Sequence, residues 1–238
     1  MREVLEQVAR FSPNILVVDD GSTDGTTEVL AEMASVQTIR HEANRGYGAA
    51  LVTAFQYAAC RGYDTLVTID CDGQHEPQLI PRFVEAINRG HADIISGSRY
   101  LQVADDAAAP EERRRINRII TQELNELLNL RLTDAFCGFK AYRVSSLANL
   151  NVTEPGYGMP LELWIKAVAA GQRVRELPVP LIYLEEKRSF GGALDDAASR
   201  LCYYRKVIRK ALDEVAAHSD DAELCEEGRS TLCGDSCE

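Results

Sequence analysis

Short runs of Val, Ile and Leu alternate along the chain with stretches whose apolar residues recur every three or four positions, so buried strands should alternate with amphipathic helices. The first unit is Asn14–Val18, a β-branched run meeting Asp19-Asp20-Gly21, after which Ser22 or Asp24 can cap a helix from Thr27 to Met33. Val36–Arg40 predicts a second strand, Ala49–Cys60 a helix, and Thr65–Ile69 a third strand ending at Asp70. Pro77 opens a helix to about Asn88, and Asp93–Gly97 is a fourth strand leading into Ser98-Arg99-Tyr100. This rhythm predicts an α/β fold, an open and mainly parallel sheet sandwiched by helices.

The second half is less regular. Residues 102–112 are rich in Ala, Asp and Pro, with too few large apolar side chains to grip a core, which predicts a mobile loop. A long helix is expected from Arg113 to about Asn129, and Phe136–Tyr142 is an apolar run interrupted by Gly138. Leu161–Ala170 reads as helix, and Arg173–Tyr183 as an extended segment that Pro178 and Pro180 confine to a sheet edge. The last helix is expected over Ala197–Val215, with an acidic, disordered tail over 216–238.

Charge and cysteine content narrow the function classes. A formal net charge of −11 leaves no broad basic face, so no nucleic-acid partner is expected and any phosphate site must be local. Met1–Glu6 reads as the start of an amphipathic helix, not as a leader, and no window approaches the roughly 18 apolar residues of a spanning helix. A cytoplasmic protein is expected, its seven cysteines free thiols; Cys225, Cys233 and Cys237 match no zinc spacing.

Candidate chemistry gathers at the carboxyl ends of the predicted strands, where open α/β sheets bind ligands. Asp19, Asp20, Asp70 and Asp72 should share one crevice. Asp70-Cys71-Asp72 leaving a strand in extended geometry points both carboxylates the same way, with Gln74 continuing the alternation; such hard oxygen donors suit Mg²⁺ or Mn²⁺ on a diphosphate. Each feature has a plainer alternative. Asp-x-Asp can be an acidic junction turning at Gly73, Asp20-Gly21-Ser22 a turn with its cap, and Arg113-Arg114-Arg115 a solvated helix start balancing Glu111 and Glu112. Lys187-Arg188 can offset Glu185-Glu186, Glu162 can be a helix-start carboxylate, and Trp164 belongs in a core.

Taken in order, Val-Val-Asp-Asp-Gly-Ser-Thr-Asp-Gly-Thr (17–26), Asn-Arg-Gly-Tyr-Gly-Ala-Ala (44–50) and Ile-Asp-Cys-Asp-Gly-Gln-His (69–75) form a set that resembles the family 2 glycosyltransferases. Within that family, Gly97-Ser98-Arg99-Tyr100, Asp134–Arg143 and Glu176–Pro180 resemble the polyprenyl- and dolichol-phosphate sugar synthases; the likeness spans about residues 3–192. It implies a nucleotide-diphospho-sugar transferase fold of the GT-A type and a role for each matching position. Asp19 and Asp20 fall near the donor's base and ribose, and Asn44 and Arg45 on a loop beneath the nucleotide. Asp70, Asp72 and Gln74 correspond to the metal-binding set, with Cys71 between the carboxylates at the donor. Arg99 corresponds to the basic residue facing the phosphates, Lys187 or Arg188 to a loop closing over the diphosphate, and Arg115, Arg118 and Thr121 to the acceptor-phosphate region.

The resemblance implies metal-dependent, inverting transfer of a hexose from GDP-mannose or UDP-glucose to a polyprenyl phosphate, with peripheral contact at the inner membrane face. Asp72 and Arg99 are the expected catalytic residues. A saccharide acceptor would instead require a carboxylate base, for which Asp134 and Glu162 are candidates. A nucleotidyltransferase is disfavoured because no Gly-rich phosphate loop opens the chain. Relatives begin with a strand lying centrally, between the strands that end at Asp20 and Asp70. The transferase domain, 1–215, is therefore expected to be truncated at its start, which leaves a non-catalytic nucleotide-sugar-binding remnant as an alternative. Mass spectrometry of the native amino terminus tests that expectation.

Overall fold

Alternating period in the sequence becomes alternating elements in a computed structural model, which describes residues 1–102, 110–148, 150–183 and 191–232, with side chains as far as residue 218. The strands are β1 (Ile15–Asp19), β2 (Val36–Arg40), β3 (Thr65–Thr68), β4 (Ile94–Ser98), β5 (Lys140–Arg143) and β6 (Val174–Pro178). The helices are α1 (Arg2–Val8), α2 (Thr26–Ala31), α3 (Tyr47–Cys60), α4 (Ile80–Asn88), α5 (Glu111–Leu128), the short α6 (Val144–Leu147), α7 (Met159–Ala169) and α8 (Ala197–Leu232). A 3-10 turn at Pro77–Leu79 leads into α4.

β1 and β2 pair in parallel, Ile15 opposite Val36 through Asp19 opposite Arg40. The other four strands form a sheet in the order β3-β5-β4-β6. β4 and β6 are parallel, and β6 takes the edge that its proline suits. β5, however, runs antiparallel to both β3 and β4, so this sheet is mixed. The irregular stretch 129–139 after α5 turns the chain once more, and β5 therefore enters opposed to its neighbours. Among the described residues β1 pairs only with β2, and β3 only with β5. Leu16, Val17 and Val18 in β1, and Leu66 and Val67 in β3, are only half-buried, whereas all of β4 is buried.

Two cores cover the faces of the sheet. α5, α7 and α8 contribute Ile120, Leu124, Leu161, Trp164, Val207 and Ile208 to one, with Tyr142 of β5. α1 and α4 contribute Leu5, Phe83 and Ile87 to the other, with Ile95 and Phe139. Spacing explains the selection: Ile116, Ile120 and Leu124 repeat every four residues and make one stripe of α5. Two sequence expectations shift at helix ends. Pro110 stands just before α5, so the helix starts at Glu111 and the expected loop shrinks, its residues 103–109 lying outside the described residues. α8 continues past Val215 to Leu232, so the backbone of 216–232 is helical where a disordered tail was expected. That stretch holds three Ala and three Glu, which favour helix, and has no proline to stop one.

Candidate active site

The turn after β1 and the loop after β2 are built around two aspartates. Asp19 is 3% exposed; its oxygens accept Ser22 N (2.9 Å) and Thr27 Oγ1 (2.9 Å), and Arg40 Nε lies 3.6 Å away. Burial alone would push this carboxyl up, but those bonds outweigh it and hold it below its ordinary value. Asp20 accepts His41 Nδ1 at 2.6 Å and Arg45 N at 2.9 Å on one oxygen, and Gly46 N at 2.7 Å on the other. Its carboxyl is likewise held low against the opposing effect of burial. Asp20 thereby fixes the loop carrying Asn44 and Arg45, whose side chains are exposed. Gly21, at φ +73°, is required there: a Cβ would stand 2.6 Å from the Ala43 carbonyl carbon. The turn-and-cap reading therefore describes Asp19 itself, while Asp20 and the 44–46 loop form one unit.

A cleft of about 170 Å³ opens beyond the ends of β3 and β4, where Asp70, Gln74 and Arg99 line it together. Asp70 is 28% exposed along its side chain and lies 3.6 Å from His75 Nε2. Asp72 Oδ1 accepts Gln74 N at 2.9 Å, a turn that fixes the two residues relative to each other. Cys71 is half-buried and packs toward the core; burial and then the neighbouring Asp70 push its thiol up, so it stays protonated. Arg99 is held by Asp134 through Nε (2.6 Å), a terminal nitrogen (2.9 Å) and its own backbone N–H (3.2 Å). Its side chain remains 22% exposed at the cleft.

Both carboxylates proposed as bases are already committed. Asp134 is fully buried and accepts Asn117 Nδ2 (2.8 Å) and Phe136 N (3.2 Å) besides Arg99. Burial raises its carboxyl, but the Arg99 guanidinium and these donors outweigh that and bring it to about 2. Glu162 is 2% exposed and accepts Thr153 N, Thr153 Oγ1, Glu154 N and Lys166 Nζ. Each of their four oxygens already has at least two donors. The depressed Asp134 value has a consequence for stability. A folded value of about 2 lies below the unfolded value of about 3.9, so the stabilisation is complete above pH 4 and disappears as pH falls toward 2. A urea midpoint followed from pH 5 to 2.5 should drop across that window; a flat profile would contradict the pairing.

Helix phase separates residues that the sequence grouped on α5. Arg115 and Arg118 are exposed and lie outside the cleft lining. Thr121 is buried, donating to Asn117 Oδ1 (2.9 Å) and accepting Ala135 N (3.1 Å), and so supports Asp134 from behind. Arg113, with Ile116 and Asn117 three and four residues on, is the arginine of α5 that lines the cleft. Arg200 of α8, His75, Tyr47 and Tyr157 also line it and were missed. The tyrosines had a signal: each is the centre of a Gly-Tyr-Gly triplet, 46–48 and 156–158. Their rings stack 5.9 Å apart, and a Cβ on Gly46 or Gly48 would meet the carbonyl oxygens of Pro155 and Glu154 at 2.3 and 2.2 Å. Lys187 and Arg188 lie outside the described residues.

The model of glycosyl transferase family 2 matches residues 1–150. The undecaprenyl-phosphate mannosyltransferase of Micrococcus luteus is 32% identical over 193 residues, 77% of this chain and 79% of that relative. The polyprenol monophosphomannose synthase of Mycolicibacterium smegmatis is 33% identical over 174 residues, 70% of this chain and 65% of that relative. In fold, the chain is similar to glucosyl-3-phosphoglycerate synthase from Mycobacterium tuberculosis, solved with Mn²⁺, UDP-glucose and phosphoglyceric acid. The TM-score is 0.66 at 19% identity, over 88% of this chain and 74% of that one. With its motifs at the strand ends and two thirds or more of its length shared with these relatives, the chain belongs to glycosyl transferase family 2 and is a glycosyltransferase.

Proposed function

We propose that this glycosyltransferase moves a hexose from GDP-mannose or UDP-glucose to the phosphate of a polyprenyl phosphate, inverting the anomeric centre, and that residues 1–215 form the transferase domain. One observation carries the reading: a single cleft is lined by the Asp70 carboxylate and Gln74, by the guanidinium groups of Arg99, Arg113 and Arg200, and by apolar walls that include Leu181 and Ile182. Carboxylate and amide oxygens suit a divalent cation, guanidinium groups suit phosphate, and the walls suit hydrocarbon. The names of the two bacterial relatives support a polyprenyl phosphate acceptor.

The donor set fits Mg²⁺ or Mn²⁺. Asp70 and Gln74 offer hard oxygens at the cleft, and Asp72, outside its lining, is tied to Gln74 by accepting its backbone N–H; among the described residues no group of three or more His, Cys, Asp or Glu side chains could hold a metal by itself. Asp70, Asp72 and Gln74 would hold such a cation, delivered with its nucleotide. Bound there, such a cation supplies positive charge against the departing nucleoside diphosphate. The chain's own residues do the rest. Asp20 holds the 44–46 loop beneath the nucleotide, and Arg99, oriented by Asp134, holds a phosphate at the cleft. The acceptor phosphate is ionised at neutral pH and needs no base, which suits a site whose candidate bases, Asp134 and Glu162, are saturated. Among the described residues no helix is long and apolar enough to cross a membrane; it is the polyprenyl phosphate acceptor that calls for peripheral contact at the inner membrane face.

Arg113 takes the acceptor phosphate in place of Arg115 or Arg118, because it alone of the three lines the cleft. Arg113→Ala should raise the KM for polyprenyl phosphate by roughly tenfold or more, the loss of a charge-assisted hydrogen bond, with the donor KM unchanged. Equal losses for donor and acceptor would contradict that assignment. The reading as a whole is tested by incubating the protein with labelled GDP-mannose or UDP-glucose, Mn²⁺ and either polyprenyl phosphate or a saccharide. Labelled lipid is expected; label on saccharide alone would overturn the lipid acceptor.

A further inference from the structure

Lys140, in β5, has no part in the chemistry above, yet it is only 2% exposed. Its ammonium donates to the Cys137 carbonyl oxygen and stands 5.3 Å from the centroid of the Trp164 ring. Trp164 is fully buried and is fixed in turn by Nε1 donating to Ala135 O at 2.9 Å. The next carbonyl along, that of Gly138, accepts Thr68 Oγ1 from β3 at 2.8 Å. Two consecutive carbonyls are thus tied, one to a core cation and one to the strand that ends beside Asp70. Gly138 itself presses on Asp70: a Cβ there would lie 2.5 Å from Oδ2 and 3.0 Å from Cγ.

A buried cation whose bonded partner is a carbonyl is costly to keep, and a methionine of similar shape would fill the space without that cost. The geometry points to a positioning role: Lys140 and Thr68 brace the Cys137–Gly138 backbone as a rigid wall that sets the Asp70 carboxylate for its divalent cation. The inference rests on the metal-binding reading of Asp70, Asp72 and Gln74. A carboxylate backed by fixed peptide atoms has fewer orientations to lose when it coordinates, the usual contribution of groups that support metal ligands. Lys140→Met leaves the Cys137 carbonyl without its donor, and Thr68→Val removes the other tie without touching charge.

The test is Mn²⁺ affinity, titrated by electron paramagnetic resonance of free Mn²⁺ in the presence of GDP or UDP, on the full chain and on each variant. Each variant should bind Mn²⁺ about tenfold more weakly. The double variant should fall short of the product of the two effects, because both act on one wall. Saturating Mn²⁺ should restore kcat toward wild type, which a general loss of packing would not permit. Wild-type affinity in folded variants, with only the melting temperature lowered, would overturn the brace while leaving the metal site standing. Absence of Mn²⁺ binding by wild type would overturn both the metal site and the brace. If Lys140→Met does not fold, Thr68→Val decides alone.

Discussion

Asp70→Asn is expected to cut hexose transfer by on the order of 10²–10³-fold while leaving the melting temperature within a few degrees of wild type. The asymmetry follows from where the side chain sits. It is partly exposed at the cleft, and the Asn amide has nearly the same shape against Gly138, so packing behind it is preserved. What disappears is the negative charge. An amide is a weaker ligand for a hard cation, and one fewer charge remains to hold it against water. Asp72→Asn should act in the same direction, because the amide oxygen can still accept Gln74 N and keep the turn. Transfer rates at saturating Mn²⁺ beside thermal melts check the pair. A variant with a wild-type rate would remove Asp70 from the site.

Asp134→Ala should have the largest effect on stability, a loss of about 3–5 kcal/mol. The reason is the uncompensated cation left behind. Arg99 has three contacts to this one carboxylate, and Asn117 and Phe136 donate to it as well. Removing the acceptor leaves several donors without partners in a buried place, a loss comparable with a large part of the 5–15 kcal/mol that holds an ordinary domain together. Denaturant unfolding of the purified variant measures it. A loss below about 1 kcal/mol would mean that water or a rearranged loop replaces the carboxylate. Asp134→Asn keeps one acceptor oxygen, so a smaller loss is expected.

How far the sequence exposed this site depends on whether a residue's neighbours are local. Asp70, Gln74 and Arg99 were legible because they leave apolar strands, and strand ends in an α/β sheet converge on one edge. Asp20 was legible as part of a turn, although its hold on Arg45 and Gly46 needs a contact 25 residues away. β5 was not legible as an antiparallel strand, since four residues at the end of a run broken by Gly138 carry no directional signal. On α5 the family likeness pointed to Arg118 and Thr121, but the phase set by Ile116, Ile120 and Leu124 turns Arg118 outward and buries Thr121. The same phase places Arg113 at the cleft. Arg200 could not have been found locally. Its position depends on α8 packing beside α5, where it also meets Glu112 at 2.7 Å across 88 residues.

In the proposed function Asp70, Asp72 and Gln74 would hold a divalent cation, and the acceptor phosphate would displace the nucleoside diphosphate from the sugar with inversion. A single-turnover reaction with labelled nucleotide sugar and polyprenyl phosphate, run with and without Mn²⁺, tests it most directly when the anomeric configuration of the lipid product is determined. The expected result is transfer that requires the divalent cation and yields the configuration opposite to that of the donor. Equal transfer without the cation, or a product with the donor's configuration retained, would contradict it.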